Sequence, residues 1–162
     1  MKPALKKNKF SIKTFFFVLA CVAMGGLIPQ FLTYSSTNSL GERFFVMWPV
    51  VGQPHAHPGD YVRFLHADAI TEHKSLYMLK RVGCAAGQTL DVTPEGYLCD
   101  GKWLGVAKSH SAKGVPVTAF KWSGKVPDGY FFASAPHKDS YDSRYYGFVA
   151  ESRVTAKAWP LF

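Results

Sequence analysis

Two kinds of hydrophobic pattern divide the chain. Near the N-terminus no residue from Phe15 to Leu32 carries a charge; Gln30 is its only strongly polar member and Pro29 stands near its end. As a helix rising about 1.5 Å per residue, such a run spans ~27–30 Å, the hydrocarbon thickness of a bilayer. Beyond it the pattern changes to short runs rich in β-branched and aromatic residues, at 43–48, 60–65, 75–82, 89–92, 129–134 and 147–150. Clusters such as Pro58-Gly59-Asp60 and Pro127-Asp128-Gly129 punctuate them. No helical period is sustained, and there is no internal repeat or low-complexity tract. The pattern predicts a mostly β, antiparallel domain with irregular loops, in which residues 55–68 are partly loop.

Charge sharpens the first half of that picture. The chain carries 19 basic and 11 acidic residues, a net +8. Residues 1–13 hold Lys2, Lys6, Lys7, Lys9 and Lys13 and no acid, which leaves 14 basic against 11 acidic residues elsewhere, a net of only +3. The basicity is therefore terminal, and it argues for a membrane rather than nucleic acid as its partner. Lysines on one flank of an apolar span hold that flank in the cytoplasm. The expected organisation is a basic tail at 1–13, a single transmembrane anchor at 14–33 and an exported domain at 34–162. A cleaved signal peptide would place its small residues at Cys21-Val22-Ala23, but the apolar run continues past them. A lipoprotein box at Val18-Leu19-Ala20-Cys21 has too short an apolar run before it, and a buried core helix does not explain the lysines. With 48% hydrophobic and 19% charged residues, a disordered chain is excluded. The length suits one compact domain plus an appendage.

Cys21 lies inside the apolar run, where a thiol acts as a small apolar side chain. Cys84 and Cys99 fall in the exported part and flank two β-type runs separated by Thr93-Pro94-Glu95-Gly96, a turn signal. In an oxidising compartment a disulfide closing this hairpin is the natural reading, with two free thiols as the alternative. No CxxC occurs, so a zinc knuckle or thioredoxin-type site has no support. Of the histidines, only His55 and His57 could share a strand face; His66, His73, His110 and His137 are scattered. Surface or loop positions are expected for them, and no metal or other cofactor is called for.

Three further blocks carry chemistry: Tyr34-Ser35-Ser36-Thr37-Asn38-Ser39-Leu40 just after the apolar run, Tyr77-Met78-Leu79-Lys80-Arg81-Val82-Gly83, and Asp139-Ser140-Tyr141-Asp142-Ser143-Arg144-Tyr145-Tyr146-Gly147. In order and spacing they resemble the signal peptidase I family of membrane-bound serine peptidases, with a serine after the anchor, a Lys-Arg-Val strand and a Ser-x-Asp-Ser-Arg-x-x-Gly block. The small size, Thr37 and the Phe-rich run at 43–46 resemble most the conjugative-transfer, TraF-type branch that matures pilins. Two departures stand out. Ser39 is followed by Leu40-Gly41 without the family's proline, which keeps Ser36 and Ser35 as alternative nucleophiles. Ala135-Pro136-His137 replaces the Gly-Asp-Asn that often opens the last block.

The resemblance implies a signal-peptidase-like β domain behind one helix, on the periplasmic face of a bacterial inner membrane. It implies Ser39 as nucleophile and Lys80 as base. A serine hydroxyl needs such a base, and a lysine can serve only when neutral, which burial on an apolar strand (Leu76, Met78, Val82) promotes. Ser140 would orient Lys80, Thr37 would help form the oxyanion hole, and Asp142 with Arg144 would brace the site as an ion pair. The implied partners are a propilin or other leader-bearing precursor, membrane lipid and conjugative transfer proteins. The alternatives are a general signal peptidase and a non-catalytic scaffold of a transfer apparatus. A cytosolic self-cleaving repressor shares such a dyad, but the anchor argues against it.

Overall fold

The computed structural model describes residues 11–111 and 114–161, with backbone alone at 24 and 27–30. The basic tail expected at 1–13 lies outside the described residues up to position 10. Helix α1 covers Ile12–Phe31. Its described side chains include exposed Phe15, Phe16, Phe17 and Val22. Over the described residues, no helix is long and apolar enough to cross a membrane.

The chain leaves α1 directly into strand β1 (Leu32–Tyr34), followed by β2 (Phe44–Pro49), β3 (Tyr61–His66), β4 (Leu76–Cys84), β5 (Thr89–Val92), β6 (Tyr97–Cys99), β7 (Lys102–Gly105), β8 (Ser123–Lys125) and β9 (Tyr130–Ser134). The short helix α2 (Ser143–Tyr146), β10 (Val149–Ala150), a single 3-10 turn and β11 (Val154–Pro160) complete it. Seven strands form one sheet in the order β1-β2-β11-β3-β4-β9-β10, and four form a second, β7-β6-β5-β8. Every described pairing is antiparallel, as the short runs and the turn clusters between them predict.

Alternation puts the core where it is needed. Along β3, Val62 and Phe64 are buried between half-buried neighbours, and they pack with Val82, Phe131 and Ala133. Phe64 and Phe131 meet edge to face with centroids 5.8 Å apart; each fully buried ring contributes roughly 1.5–3 kcal/mol. A second cluster, including Leu40, Phe45, Met47, Ala135 and Ala156, lies beneath the segment that follows β1. A third joins the two sheets: Cys84 of β4 and Phe132 of β9 pack on Leu90, Tyr97 and Cys99.

The hairpin reading holds. Thr93 and Gly96 exchange backbone hydrogen bonds of 2.9 and 3.2 Å across the turn, and Cys84 and Cys99 are joined as a disulfide with Cα atoms 5.5 Å apart. Gly96 has φ of 153° and lies so close to Trp103 that a Cβ there would sit 2.4 Å from the indole, so only glycine fits this corner. The histidine reading needs one correction. His66 is buried at the end of β3 rather than on the surface; its ring lies tilted against that of Tyr146 with centroids 4.1 Å apart and its Nε2 lies 2.7 Å from Asp68 Oδ2, which satisfies the ring's polar edge.

Candidate active site

The three sequence blocks converge on one cleft of about 530 Å³. The segment Thr33–Ser39 forms one wall, Tyr77–Lys80 of β4 the other, and His137, Asp139, Ser140 and Tyr141 close one end. β4 holds Lys80 in place by pairing it with Val62 of β3. β9 pairs with β4 only from Arg81 to Cys84. Among the described residues, Tyr77–Lys80 is therefore left without a strand partner on that edge.

Within the cleft, Lys80 Nζ lies 2.9 Å from Ser140 Oγ and 3.4 Å from Ser39 Oγ. All three residues are under a tenth exposed, Ser39 at 8%, Lys80 at 7% and Ser140 at 4%. Thr37 Oγ1 is 3.2 Å from Ser39 Oγ. Of the three candidate serines, Ser39 alone is in hydrogen-bond reach of the amine; Ser35 turns its hydroxyl to Thr37 O at 2.9 Å, and Ser36 is exposed. The Ser39 backbone is held in turn, since His137 N donates to Ser39 O at 3.2 Å. That contact comes from the stretch where Ala135-Pro136-His137 departs from the family pattern, and a backbone bond leaves no signal in the sequence.

Burial pushes the Lys80 ammonium below its ordinary pKa; the negative charge of Asp142 opposes this and the Arg144 cation adds to it. Of the three apolar strand neighbours, Val82 is buried and Met78 half-buried, whereas Leu76 is exposed and contributes little.

Asp142 and Arg144 form the brace. Asp142 caps α2, accepting from Arg144 N at 3.1 Å, and takes the guanidinium in a fork, Nε to Oδ1 at 2.8 Å and Nη2 to Oδ2 at 2.7 Å. Arg144 Nη1 also donates to Val106 O at 2.9 Å. The approach requires Gly105, where a Cβ would lie 2.9 Å from that nitrogen. Burial works against the Arg144 charge, but the hydrogen bonds and charge of Asp142 outweigh it and hold the group above its ordinary pKa.

A network behind the block escaped the sequence reading. Asp68 accepts from both His66 and the Tyr141 hydroxyl. Burial alone would raise the Asp68 pKa, yet these hydrogen bonds bring it down to about 2. Residues 66–68 carry no motif, and only the return of the chain at 141 brings the three together.

The family described as "Signal peptidase, peptidase S26" matches residues 8–162. The chain belongs to that family. No curated protein matches it. As a member of it, the chain is a serine endopeptidase; the family acts on precursor proteins and is typically membrane-associated.

Proposed function

We propose that Ser39 and Lys80 form the catalytic dyad of this peptidase, and that it cleaves exported precursors at the membrane surface. The observation that carries this is the buried amine within reach of both Ser39 and Ser140. A neutral Lys80 Nζ has two protons and one lone pair. Donating one proton to Ser140 Oγ aims the lone pair at the Ser39 hydroxyl, which gives up its proton as Oγ attacks the scissile carbonyl. The ammonium so formed returns that proton to the leaving amine, and the acyl-serine is then released by water or by another amine. The Ser39 N–H and the Thr37 hydroxyl stabilise the oxyanion; losing one such donor costs ~3 kcal/mol of transition-state binding. An extended substrate adds as a strand to the free edge at Tyr77–Lys80.

In the finer reading, 14–33 is a single-pass anchor, 1–13 stays cytoplasmic and 34–162 is the periplasmic peptidase domain. Support comes from the lysine-rich approach, the uncharged run and the exposed apolar face of α1. Exposed Trp48 and Trp159 near the base of α1 suit the headgroup zone, with Phe31 and Trp48 in ring contact at 5.5 Å. The small domain and the Thr37 block favour a conjugative propilin as substrate, cut by hydrolysis or joined to its own amino terminus when that amine replaces water.

Ser39→Ala and Lys80→Arg should each lower turnover at least ~1000-fold with unchanged circular dichroism, and activity should rise with pH as Lys80 loses its proton, without dependence on a chelator. Because burial lowers the Lys80 pKa, that rise should be centred below the titration of an exposed lysine. An acyl-enzyme trapped by mass spectrometry on Ser35 or Ser36 instead of Ser39 would reject the dyad.

A further inference from the structure

The cleft holds a cation that the proposed chemistry does not use. Arg63 lines it with Tyr77 and Leu79, and sits on β3 directly opposite Leu79. Its side chain is held at two points. Nε donates to Thr155 Oγ1 at 3.0 Å, and the guanidinium carbon lies 4.7 Å from the centre of the Tyr77 ring. Thr155 occupies the register break between Val154 and Ala156, where β11 slips against β3. Its hydroxyl also donates to Arg63 O at 3.1 Å. Irregularities of this kind re-aim side chains beside working sites.

Nε and one ring face are thus occupied, while both η nitrogens have no acceptor among the described residues. Nor is there a carboxylate within ion-pair distance among them. Asp139 is the one described carboxylate lining the cleft, and it is paired with Lys108. A half-buried, oriented guanidinium with two free donor nitrogens is matched to a carboxylate, which accepts from such a fork bidentately.

We propose that Arg63 is a specificity residue that binds the carboxylate of an Asp or Glu side chain in the precursor, a few residues from the scissile bond. The proposal rests on the Ser39/Lys80 reading for where the bond is cut. Register sets the distance. Arg63 faces the residue next to Lys80, and an extended substrate along β4 advances about 3.3 Å per residue, with alternate side chains on the same face. The matching acidic residue lies roughly two to four positions from the cut. Two anchors already restrict the arginine, so little side-chain freedom remains to be lost on binding.

The test uses the full chain in detergent and a short peptide cleaved at a defined Ala-Ala bond. Glu is placed singly at the second, third or fourth position on either side of the cut. One position should raise kcat/KM roughly ten- to hundredfold, mainly through KM, and the gain should shrink with salt. Arg63→Gln should equalise the Glu and Ala peptides, Arg63→Lys should keep part of the gain, and Arg63→Glu should move the preference to Lys at the same position. Thr155→Val, which frees Nε, should weaken the preference without reversing it. No gain at any position, or a gain that survives in Arg63→Gln, would overturn the proposal. If no peptide is cut, the dyad reading fails separately. Affinities of fluorescent Glu and Ala peptides for Ser39→Ala then decide the role of Arg63, equal values removing it.

Discussion

The cleft end of the seven-stranded sheet and the interior of the four-stranded sheet differ in what they bury. Beside the cleft, Lys80, Asp142, Ser143 and Arg144 are all sealed from solvent. Under the small sheet the buried set is Cys84, Leu90, Tyr97, Cys99, Val126 and Phe132. Its one phenol satisfies itself by donating to Phe120 O at 2.6 Å, with Arg144 O also 3.0 Å away. Burial pushes the Tyr97 pKa up to about 12, against the lowering effect of the Arg144 cation, so the hydroxyl remains a donor. The difference separates two tasks. The large sheet carries desolvated charge because the proposed chemistry needs an uncharged amine, and the apolar sheet backs it. Among the described residues, besides the apolar cluster that joins the two sheets, their junctions include the disulfide from β4, the bond from Arg144 Nη1 to Val106 O and the one from the Tyr97 hydroxyl to Arg144 O.

Breaking the charged side should have the larger effect. Asp142→Asn keeps the shape but leaves the Arg144 guanidinium buried without its counter-charge, which costs about 3–5 kcal/mol. Urea unfolding should show the loss in the midpoint at unchanged slope. An effect below 1 kcal/mol would mean that the carbonyls accepting from the guanidinium, those of Val106, Ala135, His137 and Ser140, suffice to hold the cation. Breaking the apolar side comes next. The Cys84–Cys99 bond closes a separation of 15 residues, worth about 3 kcal/mol in the chain-entropy model. A Cys84→Ser, Cys99→Ser variant should lose that stability yet retain kcat at low temperature, because neither cysteine lines the cleft. A kcat that falls in this variant while its circular dichroism shows the fold retained would show that the small sheet positions Lys80 as well as supporting it.

The same contrast explains what could be read from the chain. The runs at 43–48, 60–65, 75–82 and 129–134 became β2, β3, β4 and β9 because they are rich in β-branched and aromatic residues and bounded by turn signals. β11 was missed because its inward positions are Val154, Ala156 and Ala158, and small alanines give little periodic signal. β7 and β8 are short, and β8 is Ser-Gly-Lys; its place is set by pairing with β5 rather than by its own residues. Ser39, Lys80, Ser140 and the Asp142–Arg144 pair could be named as candidates because the three blocks that hold them resemble those of the signal peptidase family, and the fold brings them together. Arg63, His66 and Asp68 could not, since each acquires its setting from a strand neighbour or a distant tyrosine.

The smallest expected effect tests the comparison most directly, because it has the opposite sign. If Lys80 is retained for chemistry against the interest of stability, Lys80→Met, of similar length and without charge, should stabilise the fold by on the order of 1 kcal/mol near neutrality. The pH dependence identifies the cause. Burial lowers the folded-state pKa of Lys80, while the unfolded chain keeps a value near ~10.4. Below the folded pKa both states hold the proton and the native state bears the full cost of a buried ammonium. Between the two values the unfolded state binds more protons, so wild-type stability rises with pH. Above ~10.4 both amines are neutral and the cost is gone. The advantage of Lys80→Met should therefore be greatest at the acidic end of the range and fade as pH rises towards the unfolded pKa, as read from urea midpoints of both proteins across pH. An advantage that does not change with pH would assign the gain to packing around Met78 and Val82 instead of to the desolvated charge.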